Sequence, residues 1–394
     1  MNLALIGLAI VAHFGLRLTF YNRLNSLGWR RRTIKRIEKI AFVETWLTPI
    51  WIAMIWFETL LGIGQETHAF NDLPWWLRIY GGFCLLAGGY FFLLWLLWRP
   101  VFRLEHARVN RSTEIHRATR QDAMCFARTS KCRRAACIPG NQMFDLAIEH
   151  IDVPIVNLPE SLIGYRIAQL SDIHLTGQMQ PEYMAGVIER ALAWSPEMFA
   201  LTGDIVDVQE CVPWLPELFA PATAPDGNYF ILGNHDTRVA DPSEVRRKMS
   251  AAGWTDLGGR CEVRSLRDQN VLLMGNEWPW FGRPSGREIE TATTKISGNV
   301  LKICLSHSPD QFDWARRHGI DFLMCGHTHG GQGRLPLIGP ILSPSWHGSR
   351  WASGDFYREP TLMHVSRGLG GVHLLRIHCR PELSLITLQK QVRK

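Results

Sequence analysis

The stretch "FLMCGHTHGGQ", residues 322–332, decides how the second half of this chain is read. A short apolar run leads straight into Gly-His-Thr-His-Gly-Gly. Two imidazoles one residue apart, fenced by glycines, suit neither a helix interior nor an ordinary turn. They suit the end of a buried strand, where backbone and imidazoles crowd one centre. Four more runs share this plan. "YRIAQL" (165–170) leads into Ser171, Asp172, Ile173 and His174. "MFALT" (198–202) leads into Gly203, Asp204 and then Asp207. "NYFIL" (228–232) leads into Gly233, Asn234, His235 and Asp236, and "VLKICL" (300–305) into Ser306 and His307. The opening run itself, "DFLMC" (321–325), delivers His327 and His329. Short apolar runs bounded by turn residues read as strands buried on both faces. "PEYMAGVIERALAW" (181–194) and "DPSEVRRKMSAAG" (241–253) have the starts, stops and spacing of crossover helices. The class is therefore α/β, and ligands in open α/β sheets bind at the carboxyl edge, where these runs end.

The side chains collected there suit metal chemistry. Three are oxygen donors (Asp172, Asp204, Asn234) and four are imidazoles (His174, His307, His327, His329). A cation held by oxygen and imidazole takes about four protein ligands. The set is enough for two cations roughly 3.5–4 Å apart sharing a carboxylate, the arrangement of two-metal phosphoryl hydrolysis. His235 comes directly after Asn234 and is placed to serve as general acid, with Asp207 placed to orient it. Such donors admit manganese, iron, zinc or magnesium, and manganese is expected. Arg238 either holds a phosphate or makes a surface salt bridge. His364 and His373 flank a "GLGG" loop (368–371) that lacks the strand–helix context of a dinucleotide site and reads as a turn.

The N-terminal part has a different texture. Residues 79–98 carry no charge and are long enough to cross a bilayer as a helix, with Trp75, Trp76, Trp95 and Trp98 at the ends. Residues 40–64 form a second span interrupted by Glu44, Pro49 and Glu58, and residues 1–16 a short third. Glu58 lies near the outer end and reads as snorkelling to the interface. The net charge of +7 is concentrated in residues 17–39 and 99–134, beside the spans, whereas "QETHAFND" carries acids only. Lys and Arg collect in cytoplasmic loops. The expected topology has an outer N-terminus, three crossings of the inner membrane and a cytoplasmic remainder. A twin-arginine export signal around "RRRTIK" is the competing reading. A basic balance can signal nucleic acid, but the positive charge is absent from the globular part, so lipid headgroups are expected instead. The cysteines number nine and form no C-x-x-C pair, so no disulfide framework is implied. The expected organisation is a transmembrane region over 1–100, a basic linker over 101–143 and a catalytic domain over 144–394.

The ordered set "SDIHLTG", "GDIVD", "GNHD", "SHSPD" and "GHTHGGQ", with "LPLIGP" and "VSRGLG" after it, resembles the calcineurin-like metallophosphoesterase superfamily, in its bacterial membrane-anchored branch. The resemblance covers about residues 150–390. It implies a sandwich of two mixed β-sheets flanked by helices. It implies one metal on Asp172, His174, Asp204 and His329, a second on Asp204, Asn234, His307 and His327, and His235 as the acid. Members of the resembling branch hydrolyse the pyrophosphate of UDP-2,3-diacylglucosamine, a lipid-linked precursor of lipid A, which makes that the expected substrate. A different phosphodiester or phosphomonoester is the alternative. A non-catalytic metal-binding scaffold and a transporter with a regulatory head are the remaining readings. The first would be marked by a lost ligand and the second by paired polar residues within the spans.

Overall fold

The structure, a computed structural model, describes residues 2–98, 102, 104–296, 298, 300–336, 338–371 and 373–391. The chain divides into two compact units: Met1–Leu104 with Pro344–Arg350, and Glu105–Ser343 with Trp351–Lys394.

The first unit is built on three helices, α1 (Asn2–Leu24), α2 (Arg31–Gly64) and α3 (Trp75–Leu97), with α1 packed on both others. Each is long and apolar enough to cross a membrane. Met54 and Leu86 are each 80 % exposed, so these helices turn large apolar side chains outward rather than into a protein core. The helices run beyond the expected spans of 1–16 and 40–64, because α1 and α2 continue through the charged residues taken as their limits. Arg17 on α1 pairs with Glu44 on α2, which balances both charges. Pro49 lies inside α2. It has no N–H, so the carbonyl four residues earlier loses its helical partner. That carbonyl belongs to Thr45, and His13 Nε2 donates to it at 2.9 Å. His13 Nδ1 in turn accepts from the Tyr80 hydroxyl on α3 at 2.5 Å. One imidazole thus repairs the proline break and ties three helices together.

The second unit holds two sheets. The first contains β1 (Asn110–His116), β2 (Leu146–Ile155), β3 (Arg166–Leu170), β4 (Met198–Thr202), β5 (Asn228–Ile231), β6 (Trp254–Asp256) and β15 (Glu382–Lys390). Their order is β1-β2-β15-β3-β4-β5-β6. The second contains β7 (Cys261–Leu266), β8 (Gln269–Asn276), β9 (Lys302–Ser306), β10 (Phe322–Cys325), β13 (Gly354–Arg358) and β14 (Thr361–Val365), ordered β13-β14-β10-β9-β8-β7. A small hairpin joins β11 (Arg334–Leu335) to β12 (Gly339–Pro340). Strands β3 to β6 run parallel, as do β8, β9, β10 and β14. Antiparallel pairs at β1/β2, β15/β3, β7/β8 and β13/β14 make both sheets mixed.

Side chains alternate along each strand and divide the core into layers. Met198, Ala200, Ile303, Leu305, Phe322 and Met324 pack between the sheets. Phe199 and Leu201 face the outer layer of α6 (Pro181–Ala193), α7 (Leu215–Phe219) and α8 (Pro242–Ala251). Cys304, Leu323 and Cys325 face α9 (Gly286–Thr293) and α10 (Phe312–Arg317). This is the two-sheet sandwich flanked by helices that the sequence implies.

The segment 101–143, expected to be a linker, is otherwise, though its residues 101 and 103 lie outside the described residues. Strand β1 extends the first sheet, and α4 (Arg120–Phe126) and α5 (Ser130–Ala136) come after it. The side chains of Thr119 and Thr129 cap the two helices. Cys132 is buried in the same core layer as α6. Arg111 on β1 meets Asp355 at 2.6 Å and Glu149 at 3.3 Å, so its charge works inside the fold. A polar, exposed edge strand and two short helices leave little periodicity to read, and the basic residues concealed what there was.

Candidate metal centre

The carboxyl ends of β3, β4, β5, β9 and β10 open onto one point, and all seven expected donors meet there. Asp172, His174, Asp204 and His329 offer ligand atoms within 4.8 Å of one another, and so do Asp204, His307 and His327. The Nε2 atoms of His174 and His329 face each other at 3.0 Å. His174 Nε2 lies 3.5 Å from Asp204 Oδ2, and His329 Nε2 lies 3.6 Å from Asp172 Oδ1. On the other side, His307 Nε2 is 3.3 Å from Asp204 Oδ1 and 3.0 Å from Asn234 Oδ1. Asp204 is thus common to both groups.

Backbone strain accompanies the convergence. Asp172, His174, Asp204, His327 and His329 have φ of 50°, 51°, 54°, 73° and 50°. Non-glycine residues in this left-handed region cost on the order of 1–3 kcal/mol each and persist only where surrounding structure enforces them. The glycine fence now has its reason. A Cβ at Gly326 would fall onto the Ser171 hydroxyl and the Asp172 carboxylate, and one at Gly233 onto the Asp204 carboxylate. Only bare backbone lets these strands crowd so closely.

Neighbouring groups fix the imidazoles. His174 Nδ1 donates to Asp207 Oδ2 at 2.8 Å, and His307 Nδ1 to the Thr202 carbonyl at 2.8 Å, which turns both Nε2 atoms to the centre. Burial alone would push His307 down, but the Asp204 carboxylate prevails and raises it to about 9. Burial would also raise Asp207, yet His174 and His235 hold it below the ordinary carboxylate range. His235 Nδ1 donates to Asp207 Oδ1, and burial pushes this imidazole down to about 4.

The donor set fits a metal pair on observations independent of the motifs. Asp204 Oδ2 and His329 Nδ1 are buried with no hydrogen-bond partner among the described residues. A carboxylate oxygen left so in a site this buried is costly unless a cation answers it. The chain's own donors converge at ligand spacing around that oxygen.

Other residues prove to shape the site. Asp236 accepts from the backbone N–H groups of Ile205, Val206 and Gly233, at 3.0, 2.9 and 2.7 Å, and so clamps two ligand loops together. Its place in "GNHD" was the available signal. Trp280 lies against His327 and His307, with ring centroids 4.7 and 5.4 Å away. No motif announces it, because only the course of the chain after β8 brings it there. Arg376 is fully buried and donates to the carbonyls of Arg367, Gly368 and Gly370. It braces the 368–371 turn, where the Leu369 and Gly370 amides donate to the carbonyls of Ser171 and Asp172. His364 stands apart from the centre, bonded to Asp355 at 2.7 Å and to Ser384 at 3.1 Å.

Comparison with known proteins agrees with this geometry. Residues 165–331 match the calcineurin-like phosphoesterase family. The metallophosphoesterase YkuE of Bacillus subtilis is 30 % identical over 241 residues, covering 59 % of this chain and 82 % of that protein. Phosphodiesterase YaeI of Escherichia coli is 26 % identical over 228 residues, 57 % of this chain and 82 % of that protein. The UDP-2,3-diacylglucosamine pyrophosphatase LpxG of Chlamydia trachomatis is 26 % identical over 286 residues, 58 % of this chain and 86 % of that protein. The strained, glycine-fenced cluster and this coverage lead to one conclusion: the chain belongs to the calcineurin-like phosphoesterases, metal-dependent hydrolases of phosphoric esters.

Proposed function

We propose that the protein is a membrane-anchored phosphoesterase that cleaves the pyrophosphate of UDP-2,3-diacylglucosamine in lipid A formation. One observation carries this choice of substrate. A chain with three helices long and apolar enough to cross a membrane also resembles an enzyme named for that lipid-linked pyrophosphate. The proposed place is the inner (cytoplasmic) membrane, crossed more than once, with the phosphoesterase unit on the cytoplasmic side. The Lys- and Arg-rich flanks at 17–39 and 99–134 support that orientation. Its partners are then a lipid-linked phosphorylated substrate and the bilayer, not nucleic acid.

In this reading Asp172, His174, Asp204 and His329 hold one divalent cation, and Asp204, Asn234, His307 and His327 hold the other, with manganese the expected metal. Bound there, the cations would polarise the phosphate and lower the pKa of a water. The protein's own part is positioning and proton transfer. Asp207 and the Thr202 carbonyl keep His174 and His307 aimed inward. His235, oriented through Nδ1 by Asp207, takes a proton from water at Nε2 and delivers it to the leaving oxygen. Trp280 lies against the rings of His307 and His327 and shields that side of the site.

A phosphodiesterase acting on another substrate is the second reading, favoured by the likeness to a protein named phosphodiesterase. The test uses full-length, manganese-loaded protein in detergent with UDP-2,3-diacylglucosamine, and Asn234→Ala as control. UMP release that the control loses supports the first reading. No UMP release, with bis(p-nitrophenyl) phosphate still cleaved, discards the lipid substrate and leaves the second.

A further inference from the structure

Arg238 closes the short turn His235–Arg238 after β5, and its guanidinium folds back onto the groups that handle the proton. Nη1 donates to Asp207 Oδ1 at 2.6 Å, and Nη2 lies 2.6 Å from His235 Nε2. A guanidinium only donates, so Nε2 is the acceptor. The imidazole therefore has both nitrogens engaged, Nδ1 with Asp207 and Nε2 with Arg238. Yet Nε2 is the nitrogen that must face the leaving oxygen, so a productive complex requires Arg238 to release it.

An anionic phosphate oxygen is the natural place for the released donor. It forms a charge-assisted bond with guanidinium, stronger than the bond to a neutral ring nitrogen, and it suits the planar fork of arginine. Asp207 tolerates the departure, since it keeps His174 and His235. We infer that Arg238 is a substrate-phosphate ligand that holds His235 Nε2 before substrate arrives and passes its Nη2 donor to a phosphate oxygen on docking. Substrate binding thereby frees Nε2 to take up a proton from water and pass it to the leaving oxygen. The inference rests on the reading of His235 as the proton donor.

The test uses full-length, metal-loaded wild type, Arg238→Ala and Arg238→Lys, with bis(p-nitrophenyl) phosphate as substrate and inorganic phosphate as competitive inhibitor. Arg238→Ala is expected to raise KM and the phosphate Ki together by about 10–100-fold, the loss of a charge-assisted bond. Arg238→Lys should recover part of both, and metal content should stay at the wild-type value. A fall in kcat and thermal stability with the phosphate Ki unchanged would mean that Arg238 only braces Asp207, and would overturn the inference. A structure with phosphate bound should place Nη2 on a phosphate oxygen and away from His235 Nε2; Nη2 still on His235 would overturn the hand-over. His235→Ala separates the two claims. Measured on a phosphodiester with an alkoxide leaving group, which needs a proton where p-nitrophenolate does not, an unchanged kcat in that variant sinks the proton-donor reading and the hand-over with it, whatever the phosphate Ki of Arg238→Ala.

Discussion

The helical N-terminal unit and the phosphoesterase unit each gather polar side chains into a cluster, and they complete it differently. Around His13 the polar groups are answered. His13 uses both nitrogens, Glu44 meets Arg17, and the carbonyl freed by Pro49 finds a donor. At the carboxyl edge of the two sheets the cluster stays open. Asp204 Oδ2 and His329 Nδ1 have no hydrogen-bond partner among the described residues, and five residues of the cluster adopt left-handed backbone. A closed polar cluster holds helices together, as interhelical hydrogen bonds do. An open one on strained backbone stores cost for chemistry, which is how active sites commonly differ from the structure around them.

Substitutions on the two sides should therefore part company, and the widest separation is expected at Asp204. Asp204→Asn should lower kcat/KM by at least about 10³-fold, the scale on which preorganised charge acts. Melted in EDTA, the same variant should lose only modest stability, because the pairing with His307 that it gives up is offset by removing a buried carboxylate oxygen that has no hydrogen-bond partner among the described residues. A large drop in that melting temperature would break the comparison. His235→Ala comes next, with kcat reduced by about 10²–10⁴-fold and metal content unchanged. Loss of metal in this variant would move His235 from proton transfer to metal binding.

The closed cluster should behave in the opposite sense. His13→Ala leaves the Thr45 carbonyl and the Tyr80 hydroxyl without their partner, at about 1–3 kcal/mol of stability, while kcat stays at the wild-type value. An equal loss of kcat would show that the polar knot among the helices does more than hold them. The smallest effect is expected at His364. Burial would lower this imidazole, but Asp355 and Glu382 raise it above its ordinary value. Its stabilising contribution is then fully present below the unfolded-state value of roughly 6.5 and is lost as pH rises through the higher folded value. Wild type should lose more melting temperature than His364→Asn on going from pH 6 upward. Parallel curves would remove His364 from the account.

Burial governed which parts of the molecule were legible in the sequence. The five strands that carry the site lie within two residues of their apolar runs, because strands buried on both faces leave an uninterrupted signal. Their carboxyl ends then located Asp172, Asp204, Asn234, His307 and His329 together, since parallel strands deliver the residues beyond their carboxyl ends to one edge. Segments with one exposed face were harder. Strand β1 is a polar edge, and α4 and α5 are too short to show a period. Helix α1 reads in sequence as ending before Arg17 because the charge that balances it, Glu44, belongs to another helix. Trp280 and Arg376 could not be found locally at all. Each acts across the fold, on imidazoles or carbonyls that other segments supply, and only tertiary structure joins them.

The central claim is that Asp204 is shared by two cations, and manganese titration of the full-length protein tests it most directly. Bound equivalents per chain would be counted for wild type and for Asp204→Ala after exhaustive chelation. The account predicts two equivalents for wild type and loss of tight binding at both positions in the variant. One equivalent in wild type, or two that persist without the Asp204 carboxylate, would contradict it.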